Sequence, residues 1–326
     1  MALPKTLQEA ILYFAEFENC KNFMVELRWP DGVVKCPQCG SEHVTYLAKA
    51  RVWKCYGKHP LAKFTLKTGT IFEDSPLPLS KWLAAVWLLV TCKNGISSYE
   101  VSRDLAVSQK STWHMLHRIR FALQGGSFDK KFSGEVEADE TFVGGKLANM
   151  HARRQKKMRE LGRSRGGVFG KAIVTGLLDR NTKKARVKVM GNVRQFGLRT
   201  NIAENVEQGS TVYSDALKSY RNLGADGFVH EFIDHTEKYV EGRVHTNGLE
   251  NFWSLFKRAL KGTYVSVEPF HLQAYADEQC FRYNNCKLTD PERFAIVMQQ
   301  IVGRRITYKQ LIGKTDESSS SEMRPE

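Results

Sequence analysis

The stretch "EVEADETFVGG" at residues 135–145 decides the fold. Acidic and apolar residues alternate along it and two glycines close it, which is typical of a β-strand that ends in a turn. On this alternation Glu135, Glu137 and Asp139 share one face, with Asp139 near the C-terminal end of the strand. Like charges repel, so such a face needs solvent, protons or cations. An exposed sheet edge is the simplest alternative.

The residues that follow predict an α/β domain. Two further strands, "KAIVTGLLDR" (171–180) and "KARVKVMGNV" (184–193), are followed by alternating helices and strands. The predicted elements are a helix over 196–207, the strand "STVYS" (210–214), a helix from 216, a strand near "FVHEFI" (228–233), and helices that begin near 247 and 271. Three consecutive strands followed by this alternation predict a mixed sheet covered by helices.

Two more acidic residues stand where elements begin or end. In "TVYSDALKSY" (211–220), Asp215 ends a strand just before a helix, where Asp is also a preferred N-cap. In "HTNGLENFWSLFKRAL" (245–260), Glu250 lies in the first turn of an amphipathic helix. The spacing of Asn247 and Glu250 fits a capping box, which is the structural alternative. Lys257 lies two turns below Glu250 on the same face, and the positive charge continues at Arg258 and Lys261.

Three acids at strand ends and a helix start can meet at one edge of a sheet. Carboxylate oxygens are the ligands of hard divalent ions such as Mg²⁺ or Mn²⁺. Two such ions about 4 Å apart can activate a water or a 3′-hydroxyl and stabilise the leaving oxygen of a phosphodiester. Histidine or cysteine at these positions would have favoured zinc instead. The sequence therefore favours a site for two Mg²⁺ or Mn²⁺ ions at Asp139, Asp215 and Glu250.

A second metal site is predicted near the N-terminus. "KCPQCG" (35–40) places Cys36 and Cys39 two residues apart, and "WKCYGKHP" (53–60) supplies Cys55 and His59. Four such ligands in two pairs suit one tetrahedral, structural Zn²⁺. A segment of about 40 residues buries too little surface to fold alone, so the metal would supply much of its stability. His43 is a rival fourth ligand, and reduced structural cysteines are the alternative for both pairs.

A helical pair follows the ribbon in "GISSYEVSRDLAVSQKSTWHMLHRIRFAL" (95–123). Ser97 or Ser98 can cap a short helix, "AVS" makes a tight turn, and a second helix runs over 109–123. This arrangement is typical of a helix-turn-helix that contacts DNA, and a plain helical hairpin is the alternative. The polar side chains expected on the outer face of the second helix are Gln109, Lys110, Ser111, Thr112, His114 and Arg118.

Composition bounds the function class. The 326 residues carry 49 basic and 35 acidic side chains, a net charge of +14, which favours a polyanionic partner such as nucleic acid. A basic segment over 153–171 is either a solvated loop or a phosphate-binding arm. No run of about 18 apolar residues or signal-peptide layout is evident, so a cytoplasmic protein without a membrane partner is expected. Seven unevenly spaced cysteines argue against a disulfide framework.

The order of these motifs resembles the DDE-type insertion-sequence transposases of bacteria that carry an N-terminal zinc ribbon, the ISXO2-like group. The resemblance covers about residues 10–305. It rests on "CPQCG", "KCYGKH", "FTLKTGTIFEDSPLPLSKW", "EADETFVGGK", "VYSDALKSY", "HTNGLENFWSLFKR" and "DEQCFRYNN". It implies a ribonuclease-H-like fold and metal-dependent transposition at terminal inverted repeats.

The resemblance also implies site residues. Asp139, Asp215 and Glu250 would be the three catalytic acids, the last two lying 35 positions apart. Asn247 is a contender for the third position, and Glu137 and Glu140 are the fallback candidates around the first.

The expected domains combine both lines of reasoning. They are an N-terminal helical segment (1–32), a zinc ribbon (33–75), a helix-turn-helix domain (76–126), a ribonuclease-H-like catalytic domain (127–310) and a disordered tail (311–326).

The expected function is a nucleoid-associated transposase that binds double-stranded DNA at the element's ends and at the target. It would act as a homodimer or larger synaptic complex. Gln109, Lys110, Ser111, Thr112 and Arg118 would contact the DNA, together with Lys257, Arg258, Lys261 and the segment 153–171. The alternatives are a non-catalytic DNA-binding regulator and a metal-dependent nuclease without strand transfer.

Overall fold

The computed structural model describes residues 3–124, 130–144, 152–160, 171–191, 195–215, 223–233 and 245–314. The helices are α1 (Leu7–Ala15), α2 (Phe17–Arg28), α3 (Leu79–Thr91), α4 (Ser98–Leu105), α5 (Gln109–Leu123), α6 (Ala152–Glu160), α7 (Gln195–Asn205), α8 (Asn247–Ala259), α9 (Leu272–Asn284), α10 (Asp290–Gln299) and α11 (Tyr308–Leu311). The strands are β1 (Val44–Leu47), β2 (Val52–Cys55), β3 (Lys63–Phe64), β4 (Glu135–Val143), β5 (Ala172–Asp179), β6 (Lys184–Met190), β7 (Thr211–Asp215) and β8 (Val229–Ile233).

The chain divides into two compact units, residues 1–126 with 287–326 and residues 127–286. The first unit is built around α3, whose residues from Trp82 to Val90 are all buried. Phe294 of α10 packs against this helix and against α1, with its ring centroid 5.1 Å from that of Trp87 and 5.8 Å from that of Phe14. Residues from 287 onward therefore belong with the N-terminal unit, which differs from the expected domain of 127–310.

The zinc-ribbon segment lies in the first unit as a small antiparallel sheet in the order β1-β2-β3. Trp53 pairs with Tyr46 on one side and with Phe64 on the other. The three aromatic rings stack across the sheet, with centroids 4.6 and 5.9 Å from that of Trp53. These cross-strand aromatic pairs supply the apolar contacts of a segment too short to form a core of its own.

Helices α4 and α5 follow the bounds that the sequence predicts. Ser97 and Glu100 form a capping box at the start of α4, and Ala106, with φ of 47°, makes the left-handed turn between the helices. Ser108 caps α5 through the backbone N–H of Ser111.

The expectation that Thr112 and Arg118 face outward is wrong. Thr112 is fully buried and Arg118 is 5% exposed. The Arg118 guanidinium donates to the backbone carbonyl of Glu73 at 2.5 Å and lies over the ring of Trp82. Helical periodicity carries no information about the Glu73 carbonyl and the Trp82 ring that hold Arg118 inward.

The second unit contains a five-stranded sheet in the order β6-β5-β4-β7-β8. Strands β4, β5 and β6 form an antiparallel meander, β7 runs parallel to β4, and β8 runs parallel to β7. Helices α8 and α9 pack on one face with Val174 and Leu178, and α7 packs on the other face with Leu177 and Val212. The predicted mixed α/β sheet is confirmed.

Some expectations fall partly or wholly outside the described residues. Of the basic segment, residues 152–160 form α6, and 161–170 are not described. The helix expected from 216 and residues 315–326 of the expected tail (311–326) are also outside the described residues, whereas Leu311, the first residue of that tail, is buried at the end of α11. None of the helices that the structure describes has the length and apolar composition to span a lipid bilayer.

Side-chain amides of α9 cover the β6 edge of the sheet. The backbone N–H of Ala185 donates to Oδ1 of Asn284 at 2.7 Å, and Nδ2 of Asn284 donates back to the carbonyl of Ala185 at 2.9 Å. Gln273 similarly accepts from the N–H of Val189 and donates to the carbonyl of Val187. The two amides therefore replace the hydrogen bonds of a neighbouring strand, which is one way to protect a sheet edge.

We expect Asn284→Ala to lower the free energy of unfolding by about 1–3 kcal/mol, because it leaves the buried Ala185 peptide without these bonds. Denaturant unfolding of the full chain measures the loss, and size-exclusion chromatography tests for association through the exposed edge. The control is Asn285→Ala, whose amide donates to Phe281 within its own helix. Equal stabilities of the two variants would contradict the role of Asn284.

Candidate functional site

The register of the central strands brings two of the predicted acids to one edge of the sheet. Glu137 of β4 pairs with Tyr213 of the parallel strand β7. Two residues further along each strand stand Asp139 and Asp215, on the face to which Glu137 and Tyr213 belong. Adjacent strands lie about 4.8 Å apart, so the two aspartates emerge side by side.

Helix α8 adds the third acid on the same face. The indole Nε1–H of Trp253 donates to Oδ2 of Asp139 at 2.9 Å. Glu250 lies one turn before Trp253, and Asn247 lies one turn before Glu250, so all three follow one side of the helix. Both Glu250 and Asn247 are exposed, whereas Trp253 is buried.

The electrostatics of Asp139 reflect this convergence. Burial, together with a smaller contribution from the negative charges of Asp215 and Glu250, raises the pKa of its carboxyl group to about 6. The hydrogen bond from Trp253 opposes the shift because it stabilises the charged form. The negative charges of Asp215 and Glu250 therefore act on Asp139.

The capping-box alternative for Asn247 and Glu250 is wrong. Thr246 occupies the N-cap position, and no side chain of the cap accepts a hydrogen bond from the first turn. Instead the N–H of Leu249 donates to Oε2 of Glu137 on β4, at 3.0 Å. Glu250 therefore does not cap its own helix.

The two fallback acids lie on opposite sides of β4. Glu137 shares the face of Asp139, is 2% exposed and pairs with Arg180, whose Nε lies 3.0 Å from its Oε1. Glu140 is one residue beyond Asp139 and alternation directs it to the other face of the sheet. Of the two, only Glu137 lies on the face to which α8 contributes Glu250.

The zinc ligands come together as a group of four. Ligand atoms of Cys36, Cys39, Cys55 and His59 all lie within 4.8 Å of one another. The loop after Cys36 folds back through an N–H of Gly40 to the carbonyl of Cys36, the tight knuckle that the sequence predicts. His43 instead stacks on Tyr56 with centroids 4.7 Å apart. Three thiols and one imidazole within this distance fit a tetrahedral Zn²⁺.

Among the described residues, the ribbon set is the one group of three or more His, Cys, Asp or Glu side chains close enough to share an ion. Asp215 and Glu250 are near enough to affect the charge of Asp139, but the three carboxylates do not lie close enough together to share one ion.

Comparison with known proteins places the chain among transposases. A relative from Halobacterium salinarum, described as "Uncharacterized protein in transposable element ISH50", is 30% identical over 252 residues, which cover 76% of this chain and 84% of the relative. Residues 131–284 match the family described as "ISXO2-like transposase domain", and residues 18–57 match "Transposase zinc-ribbon domain".

This chain belongs to the ISXO2-like transposase family.

A second relative, an "Uncharacterized transposase-like protein" from Haemophilus influenzae, is 31% identical over 120 residues, or 37% of this transposase and 95% of the relative. The family confirms the resemblance that the sequence motifs indicated. The zinc-ribbon match together with the four-ligand cluster supports a structural Zn²⁺.

Sequence reasoning missed two residues that shape the acidic site. Gly176 pairs with Asp139 across β4 and β5, and a Cβ there would stand 2.7 Å from the Trp253 ring. Arg180 follows β5 and binds Glu137. A lone glycine in the strand "AIVTGLLD" was the available signal, since glycine inside a strand often marks a close approach.

We expect Gly176→Ala to displace Trp253 from Asp139 and to lower the free energy of unfolding of this transposase by about 1–3 kcal/mol, because the added methyl overpacks the α8 interface. Thermal and denaturant unfolding measure the effect. Gly191→Ala is the control, because a Cβ there meets nothing within 4 Å. A Gly176→Ala variant as stable as the control would contradict this packing.

Removal of one ribbon ligand should release the metal. We expect His59→Ala to bind less than one Zn²⁺ per chain and to unfold the ribbon, whereas His43→Ala keeps the ion. Metal content by atomic emission, with Cys286→Ser as a control at an exposed cysteine, checks this. Retention of zinc by His59→Ala with loss from His43→Ala would show that the fourth ligand is misassigned.

Proposed function

We propose that this transposase cleaves the phosphodiester bonds at the ends of its element and joins the resulting 3′-hydroxyls to target DNA, with Asp139, Asp215 and Glu250 as ligands of two divalent ions. One observation carries the proposal: parallel strands β4 and β7 bring two aspartates to one sheet edge, where α8 adds a glutamate. The strand order, an antiparallel meander continued by two parallel strands, supports a ribonuclease-H-like catalytic domain.

The roles of the three acids follow from their surroundings. Asp139 is partly buried and its carboxylate accepts the N–H of the Trp253 indole, which fixes its orientation, so it would hold a divalent ion as one of the three ligands. Asp215 and Glu250 flank it from a strand end and a helix start. Mg²⁺ or Mn²⁺, when bound, would activate the attacking oxygen and stabilise the leaving oxygen.

The reaction consists of two displacements at phosphorus. In the first, a water oxygen bonds to phosphorus at the element's end, the bond to the 3′-oxygen breaks, and a free 3′-hydroxyl results. In the second, that hydroxyl bonds to a target phosphorus and displaces a target 3′-oxygen. Because both are in-line displacements with the same charge distribution, one set of carboxylates serves both.

Exposed basic side chains lie on α8 and just after it, beyond the acidic site. Lys257, Arg258 and Lys261 are all exposed, and Lys257 lies about two turns beyond Glu250 on the same side. Cations at this distance suit the phosphates that flank a scissile bond, and each contact would add to the salt dependence of binding. Asn247 remains the alternative third ligand, one turn before Glu250.

The helical pair α4–α5 is proposed as a helix-turn-helix that binds the element's ends together with the zinc ribbon. Lys110 and Ser111 are exposed at the start of α5, and Gln109 binds Ser98 across the turn. The helix N-terminus favours phosphate oxygens. With Thr112 and Arg118 buried, contacts to DNA would come from this first turn. Pairing of two ends implies a dimer or larger synaptic complex.

Cleavage of a labelled terminal-repeat duplex tests the proposal. We expect Mg²⁺-dependent cleavage by the wild type and loss of about 10³-fold or more with Asp139→Ala or Asp215→Ala, because each removes a metal ligand. Asp226→Asn, at an acid that pairs with Arg199, is the matched control.

The joining step is tested with pre-cleaved ends and a plasmid target. Cleavage without joining would favour a nuclease, and DNA binding without cleavage a regulator. Undiminished cleavage by Asp139→Ala would refute the assigned site.

A further inference from the structure

Glu137 lies two residues before Asp139 on the same face of β4. Its carboxylate accepts a backbone N–H from the first turn of α8, which anchors that helix to the strand. We propose that Glu137, held by Arg180, is a positioning residue that fixes the first turn of α8 and so aligns Glu250 with Asp139. The role of Glu250 rests on the proposed function, whereas the anchoring of α8 stands on geometry alone.

Both oxygens of Glu137 face donors within the protein. Oε2 accepts the backbone N–H of Leu249 at 3.0 Å, and Oε1 accepts Nε of Arg180 at 3.0 Å. The side chain is 2% exposed. A carboxylate this deeply buried is stable only when paired, and these two donors provide the pairing.

Arg180 joins this carboxylate to three parts of the unit. Its guanidinium lies 4.0 Å from the ring centroid of Tyr213 on β7 and 3.6 Å from the carboxylate of Glu135 on β4. It also donates to the carbonyl of His245, two residues before α8 begins. The Arg180 side chain therefore holds both Glu137 and the chain segment that leads into α8.

The start of α8 is shaped for this contact. The positive end of the helix dipole favours an anion, and Glu137 supplies it in place of a side chain of the cap. Gly248 permits the approach, because a Cβ there would stand 2.8 Å from Oε2 of Glu137 and 3.1 Å from Leu178. The anchored amide, that of Leu249, directly precedes Glu250 in the chain. A displacement of about 1 Å at this point would matter for catalysis.

Cleavage assays with graded Mg²⁺ separate a positioning residue from a metal ligand. We expect Glu137→Ala to raise the Mg²⁺ concentration for half-maximal cleavage about 10- to 100-fold, as for other groups that orient ligands, with DNA affinity unchanged. Glu137→Gln keeps an oxygen for the Leu249 N–H and should recover most of that loss. Asp139→Asn should be inactive at every Mg²⁺ concentration. A Glu137→Gln variant as inactive as Asp139→Asn would overturn the proposal.

Hydrogen exchange of the full chain tests the anchor without reference to activity. Exchange of the Leu249 amide should accelerate in Glu137→Ala, stay near that of the wild type in Glu137→Gln, and stay unchanged in the surface-pair control Asp226→Asn. If Glu137→Ala does not fold, Gly248→Ala, whose Cβ displaces the same carboxylate, replaces it. Unchanged exchange in the variant that folds would overturn the proposal. If the wild type cleaves no DNA, the proposed function is refuted. The hydrogen-exchange measurement then still tests whether Glu137 anchors α8.

Discussion

The docking of α8 onto β4 is the interaction on which the acidic site depends. Two hydrogen bonds define it, from Trp253 to Asp139 at 2.9 Å and from Leu249 to Glu137 at 3.0 Å. The buried rings of Phe252 and Phe256 supply the apolar contact, at about 1.5–3 kcal/mol for each fully buried side chain. Burial of Asp139, with a smaller contribution from the charges of Asp215 and Glu250, raises the pKa of its carboxyl group to about 6.

The zinc-ribbon cluster and the acidic cluster differ in their side chains and in how much apolar core surrounds them. The ribbon ligands are soft or borderline and lie within 4.8 Å of one another, and they stabilise a segment with little apolar core. Asp139 and Asp215 belong to the sheet and Glu250 to a helix packed on it, and two apolar cores lie on the faces of that sheet. A structural ion is therefore expected to stabilise the ribbon, whereas the acidic cluster lies on elements that have apolar cores of their own.

Much of the fold followed from local patterns in the sequence. Period-two alternation predicted β4 with Glu137 and Asp139 on one face, and helical periodicity predicted α8 with Glu250 in its first turn. Cysteine spacing predicted the ribbon, including His59 as the fourth ligand. These features depend on a few neighbouring residues, so they can be recognised from a single sequence.

What escaped sequence reasoning depends on partners far apart in the chain. Nothing near Glu137 indicates that it receives an amide 112 positions later, and nothing near Arg118 indicates a carbonyl 45 positions earlier. Helix α10 belongs with the first unit because Phe294 meets rings of α1, α2 and α3. Local spacing carries no information about such contacts.

The most direct measurement of the central claim is the location of Mn²⁺ by anomalous diffraction from crystals soaked in the ion. The account predicts Mn²⁺ bound by carboxylate oxygens of Asp139, Asp215 and Glu250, with Glu137 still bonded to Leu249. Mn²⁺ bound elsewhere in a crystal where these three side chains are free of lattice contacts would contradict it.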